Sequence, residues 1–202
     1  MVNERAMYPA SAARTVIRHS IAPGNAGILE TVAHLRRLVA GASPASVRWA
    51  LSDAGPLPQE ALTRAATLYA WVQAHMTYVA DGAASDSMDI MTPEGTRRLE
   101  EELRTPDYLL ARIADEGRAE GDCDDYVILL AVLWRAVGLP VRPVLVSARA
   151  DGEYDHVYVE VGVGSVGARA VWLPADAIHG APLGWRVDPT RVTAGAVLEP
   201  FA

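Results

Sequence analysis

Gly121-Asp122-Cys123-Asp124-Asp125-Tyr126, running directly into Val127-Ile128-Leu129-Leu130-Ala131-Val132-Leu133-Trp134, is the stretch on which the reading of this chain turns. An acidic cluster in front of an unbroken apolar run marks a helix start, because a short carboxylate accepts hydrogen bonds from the first backbone N–H groups, which have no partner inside the helix. The run is apolar on nearly every face, so the helix is expected to lie buried at the centre of the domain. Gly138-Leu139-Pro140 supplies a strong stop signal. Cys123, the chain's single cysteine, sits at the opening of this helix. Unpaired N–H groups and the positive end of the helix dipole favour its thiolate.

Asp122, Asp124 and Asp125 oppose that effect, since nearby negative charge raises a thiol's pKa. The conflict eases if these aspartates cap the helix, or pair with arginines such as Arg118 or Arg142. Capping is the expected role. Clustered carboxylates also suit calcium or magnesium, but their spacing does not follow an EF-hand loop, and no metal or other cofactor is expected.

Beyond the helix the period of the pattern changes to two. Val141–Ser147 reads as a strand, Asp151-Gly152 as a turn, and 154–161 as a second strand. Val157, Val159 and Val161 lie on one face of it, and His156, Tyr158 and Glu160 on the other. A turn over 162–167, a third strand over 168–173 and one short strand within 186–202 complete the expectation. Elements this segregated, helices first and an antiparallel sheet afterwards, give an α+β fold.

Upstream, residues 1–25 read as an extended arm ending in the turn Ala22-Pro23-Gly24-Asn25. Ile28, Val32, Leu35, Leu38 and Val39 recur at helical spacing over 26–41, a weaker helix follows over Pro44–Asp53, and Gly55-Pro56-Leu57-Pro58 breaks the chain. Residues 59–79 carry a helix striped by Leu62, Ala65, Ala66, Tyr69, Val72 and Met76, with Pro58 at its first turn. The polar segment 80–93 is expected to be a loop long enough to wall a cleft. Arg97–Arg104 is expected as a charged, exposed helix, Thr105-Pro106-Asp107 as the start of another, and 116–121 as the loop leading into the cysteine. Residues 1–104 thus form an arm and helical lead-in, and residues 105–202 a core, within one compact unit.

The composition narrows the function. Half of the 202 residues are apolar, enough for a sizeable core. A net charge of −7 with no basic stripe argues against nucleic acid and anionic membrane as partners. One cysteine excludes an internal disulfide and any zinc site built from several thiolates. The opening residues Met1-Val2-Asn3-Glu4-Arg5 lead into no long apolar run, so no secretory leader is expected, and no stretch of about 20 apolar residues suggests a transmembrane helix. The expectation is a soluble, cytoplasmic protein, or a virion-associated one if it is phage-encoded.

Three elements taken in order carry a family resemblance. Gly121-Asp122-Cys123-Asp124-Asp125 with its apolar helix, then Asp155-His156-Val157-Tyr158-Val159-Glu160-Val161, then Trp172-Leu173-Pro174-Ala175-Asp176 resemble the transglutaminase-like superfamily. These are papain-like cysteine enzymes. The resemblance covers roughly residues 105–190, and the helical lead-in is more loosely similar to bacterial and phage-type members. It implies a papain-like fold with Cys123 as nucleophile on the central buried helix, and His156 as base and Asp176 as orienting carboxylate on the antiparallel sheet. Asp188, in Val187-Asp188-Pro189-Thr190, is the rival third member, because a Trp-x-x-Asp-Pro-Thr ending also resembles the family. Trp185 is expected to wall the cleft and Trp172 to pack beneath the sheet. The Cys123 N–H is a natural oxyanion donor. The resemblance implies a further side-chain donor from upstream, which the sequence does not identify; Gln73 is one candidate and is not counted among the site residues.

The implied chemistry is attack of a thiolate on a peptide or amide carbonyl, a thioester, and release to water. A cysteine peptidase or amidase is the first expectation and a protein or peptide its substrate. A crosslinking transglutaminase is the second. A catalytically idle module, associated with a larger assembly such as a phage particle, is the third.

Overall fold

The helix that opens at Cys123 is the axis of the fold. The computed structural model describes residues 8–9, 15–79, 89–91, 97–166, 169–177 and 180–201. In chain order they form β1 (Val16–Ile21), α1 (Asn25–Ala40), α2 (Pro44–Asp53), α3 (Ala61–His75), β2 (Met76–Tyr78), β3 (Asp89–Met91), β4 (Arg97–Arg104), α4 (Pro106–Glu116), β5 (Ala119–Gly121), α5 (Cys123–Ala136), β6 (Val141–Ser147), β7 (His156–Val166), β8 (Arg169–Ala175) and β9 (Ala194–Val197).

Every residue of α5 from Asp124 to Trp134 is buried. Helices α1, α2, α3 and α4 and strands β6 and β7 all pack against it, which is why the sequence can be apolar all round. Ile128, Leu129, Leu130 and Leu133 are each at most 1% exposed, and burial of such a side chain is worth roughly 1.5–3 kcal/mol. Trp134 keeps its polar edge satisfied by donating from Nε1 to the Ala65 carbonyl at 3.1 Å. Its rings stack on Tyr69 of α3, 6.5 Å between centroids. The main apolar cluster runs from Val32 to Phe201, so both halves of the chain share one core.

A four-stranded antiparallel sheet, ordered β8-β7-β6-β9, backs the helix. The period-two pattern holds: Val157, Val159 and Val161 join the main core, while Tyr158 packs with Val144 and Val146 in a separate small cluster. Strand β7 runs on to Val166 through an irregularity between Gly162 and Gly164, where a turn was expected. Arg142 lies across this sheet, donating to Glu160 Oε2 at 2.7–2.8 Å and stacking its guanidinium 4.2 Å from the Trp172 ring centre. Trp172 is thus half-buried beneath an arginine.

The lead-in departs from expectation in one major respect. Arg97–Arg104 is strand β4, paired antiparallel with β1 and β3, and not a helix. A leucine spacing of four fits one face of a helix and one face of a strand alike, so local pattern does not separate the two. Pairing with β1 decides it: Leu103 comes opposite Ile17 and is fully buried, and Arg18 bridges to Glu102 at 3.0 Å. Helix α3 is also shorter than expected. It ends at His75, after which β2 pairs in parallel with β5, in the segment read as a loop before the cysteine. The helix begins at Ala61, so Pro58 precedes it instead of lying in its first turn, and Glu60 caps it, accepting from the N–H groups of Leu62 and Thr63. Leu62 is exposed and leaves the expected stripe. Of the expected loop 80–93, only 89–91 lie within the described residues, and they form β3.

Candidate active site

Gly121 closes β5 and Asp122 immediately caps α5. Asp122 Oδ1 accepts from the N–H groups of Asp124 at 3.2 Å and Asp125 at 3.5 Å, and Asp125 Oδ2 accepts from the Asp122 N–H at 3.3 Å. Two donors that a helix start leaves unsatisfied are thereby used reciprocally. The strand pair sets the position: Tyr78 is level with Gly121, and the Val79 N–H donates to the Gly121 carbonyl at 2.9 Å. Gly121 must be glycine because a Cβ there would lie 2.6 Å from Asp125 Cβ.

The three aspartates resolve into three different states. Asp122 is the cap. Asp125, fully buried, accepts from Arg104 Nη1 at 2.6 Å. Arg104 is therefore the arginine that relieves the cluster; Arg142 serves Glu160 instead. Burial first, and the Asp122 charge second, raise Asp125 to about 7 against the pull of Arg104. Asp124 is 3% exposed and neither of its oxygens has a donor among the described residues. Burial pushes its carboxyl well above the usual range, and the neighbouring Asp122 carboxylate, with which it can share a proton, adds to this. The Arg104 guanidinium and the upward shifts of Asp124 and Asp125 all reduce the negative charge beside the thiol. One ligand atom from each of Asp122, Asp124 and Asp125 fits within 4.8 Å, a spacing that could hold a cation, but Arg104 already supplies positive charge at that corner.

His156 opens β7 as the chain leaves the turn at 151–155. Its Nε2 lies 2.9 Å from Asp176 Oδ2. The sheet makes this pair. Val159 is in register with Ala175, the last residue of β8, so Asp176 leaves the sheet beside the first residues of β7, where it meets His156. Asp176 is 1% exposed, with no donor to Oδ1 among the described residues. With Nε2 engaged, Nδ1 is the nitrogen left for chemistry.

Asp188 does not join this pair. It is exposed, caps the short turn Pro189–Arg191, and accepts from Thr190 N and Oγ1 at 2.9 and 2.8 Å, bonds that lower its pKa. His75 lies on Trp71 and bonds its carbonyl, and His179 is outside the described residues.

Two residues of α3, one turn apart, hold the chain beyond β8. The Tyr69 hydroxyl is 3.0 Å from the Asp176 carbonyl and 2.8 Å from that of Ala181, and Gln73 Nε2 donates to the same Ala181 carbonyl at 2.8 Å. Gln73 thus anchors a loop. The sequence does contain a signal for this: polar tips at i and i+4 on an otherwise buried helix face.

Cys123 and His156 line one cavity of about 50 Å³. Its opposite wall is α1, through Ile28 and Thr31 among others; Trp185 is not part of it. Cys123, His156 and Asp176 come from the start of α5, the start of β7 and the residue just past β8, an arrangement able to perform thiol-based acyl transfer.

The sequence model of the transglutaminase-like superfamily matches residues 52–177, a span running from α2 to just past Asp176. No curated protein matches the chain.

Proposed function

This chain belongs to the transglutaminase-like superfamily, and on that premise we propose that it cleaves a peptide or amide bond by cysteine-dependent acyl transfer to water. The Cys123 thiolate attacks the carbonyl carbon. The negative oxygen that develops is met by the Cys123 backbone N–H at the start of α5, with the helix dipole behind it. His156 holds the thiol proton on Nδ1 and gives it to the leaving amine, which departs as the C–N bond breaks and leaves a thioester. Water then attacks the thioester, His156 takes its proton, and the thiolate returns with release of a carboxylic acid. Asp176 keeps the imidazole in one orientation and balances its charge throughout.

The observation that carries this reading is the 2.9 Å contact between His156 Nε2 and Asp176 Oδ2, beside a cavity that Cys123 and His156 share. A structural histidine has no need of a buried carboxylate on one nitrogen and a cysteine across a cavity. Water is the favoured acceptor because no group among those lining the cavity marks a dedicated amine site.

The test is the iodoacetamide alkylation rate of Cys123 between pH 4 and 10, in wild type and in His156→Ala. Rapid alkylation at pH 6 that disappears in the variant supports a thiolate–imidazolium pair. An ordinary thiol profile centred near pH 8.5, the same in both proteins, would remove the enzyme reading.

A further inference from the structure

The cavity at Cys123 is too small and too apolar to be a general cleft. It measures about 50 Å³, against roughly 150 Å³ for a protein cavity that takes up benzene and about 10–15 Å³ for one that admits a single water. Space of this size receives two or three heavy atoms. Its mouth is formed by half-exposed or exposed residues: Ile28, Cys123, Asp155 and His156. Its depth is formed by Val32, Leu35, Leu145 and Val157, all buried. Thr31 and Asp124 also belong to the wall, but their oxygen atoms are sealed from solvent and cannot meet an incoming group without rearrangement.

We propose that this pocket receives the side chain carried by the scissile acyl group and restricts it to the size of alanine, serine or valine. The inference rests on the acyl-transfer reading above and names the substrate class within it. The mouth holds a thiol and an imidazole, so a group entering the pocket is attached to the carbon under attack. The depth is aliphatic, so that group is uncharged. No lysine or arginine lines the pocket, and Asp155 stands at the entrance, so an acyl residue with a carboxylate side chain is rejected by like charge. Leu35 and Leu145 are each 0% exposed and held by the core, so the floor cannot retreat to admit a leucine or phenylalanine. Helix α1 lies outside the matched span of 52–177. Ile28 and Thr31 are therefore specificity-determining positions supplied by a part of the chain that the family pattern does not include.

The probe is a series of N-acetyl aminoacyl p-nitrophenyl esters carrying Gly, Ala, Val, Leu, Phe or Asp. Activated esters acylate a reactive thiol without help from remote contacts. The readouts are the p-nitrophenol burst and the mass of acylated Cys123. The expected order places Ala, Gly and Val at least tenfold above Leu and Phe, with Asp lowest. Ile28→Ala, at the half-exposed mouth, should narrow the gap between Ala and Leu by several fold, and Thr31→Leu should lower the Val ester towards Leu. Equal rates for Ala and Phe in wild type would overturn the pocket and leave acyl transfer standing. Absence of acylation by every ester, with slow alkylation by iodoacetamide, would overturn both. The wild-type series decides the matter even if a variant fails to fold.

Discussion

The Tyr69 hydroxyl, on α3, lies 3.0 Å from the backbone carbonyl of Asp176, a residue 107 positions further along the chain. The carboxylate that holds His156 is thereby held in turn by the helical half of the molecule. Burial, with the Asp176 charge as the next cause, raises the Tyr69 pKa, so the phenol remains a donor at every working pH. Removing it leaves the Asp176 carbonyl without that donor, while Ala181 keeps Gln73, and loss of a donor to a buried group costs about 1–3 kcal/mol. Tyr69→Phe is expected to lower the melting temperature by that equivalent. It should also move the pH profile of Cys123 alkylation, which a purely structural loss would leave in place.

Replacing the two candidate carboxylates should separate their roles. Asp176→Ala strips Nε2 of His156 of its partner at 2.9 Å, and should cut alkylation at pH 6 by about tenfold, the equivalent of about 1.4 kcal/mol. Asp188→Ala removes only an exposed cap over Thr190, worth about 1 kcal/mol or less, and should leave the profile unchanged. Equal effects from the two variants would contradict the assignment of Asp176.

Asp124 and Asp125 give the fold a pH dependence with a definite sign. Both carboxyls have pKa values raised by burial, Asp125 from 3.8 to about 7 and Asp124 in the same direction. Such groups bind more protons folded than unfolded. Their contribution is therefore fully present below the unfolded pKa and is lost as pH rises through the folded one. The window set by Asp125 runs from about pH 4 to about pH 7. Asp124→Asn keeps the shape without the ionisation, and its amide can donate to Asp122. The wild type should lose melting temperature relative to this variant as pH rises above the ordinary carboxylate range, the Asp125 contribution being common to both. Melting temperatures that stay parallel as pH rises would contradict the upward shift of the Asp124 carboxyl.

Gly121→Ala tests the junction that delivers the cysteine. The added methyl would meet Asp125 at 2.6 Å from its Cβ and 2.8 Å from its Cγ, so the capping box and the Arg104 contact must shift. The expected cost is about 1–3 kcal/mol, typical of overpacking, measured by thermal melting. Alkylation of Cys123 should slow with it. A variant as stable as wild type would show that the helix start is less constrained than this contact implies.

Much of the site was legible in the sequence because its signals are local. The Asp122 cap with Asp125 three residues on, the all-apolar helix behind Cys123, the Gly138 stop and the alternation along β7 each depend on neighbours within a few residues. These features define α5, β6 and β7 and put Cys123 and His156 at element starts. The α+β class follows from the order in which such elements occur.

What only the tertiary structure decided are the relationships between residues far apart in the chain. Arg97–Arg104 is a strand because β1, some eighty residues earlier, pairs with it; its own pattern suits helix and strand alike. Asp176 rather than Asp188 meets His156 because sheet register aligns Ala175 with Val159. Arg104 rather than Arg118 or Arg142 relieves the aspartates because β4 ends where α5 begins. Helix α1 supplies the far wall of the Cys123 cavity by packing on α5. Propensity and periodicity act over a turn or a few strand residues, whereas these contacts are chosen by core packing and strand pairing, which bring distant residues together only once the whole chain has folded.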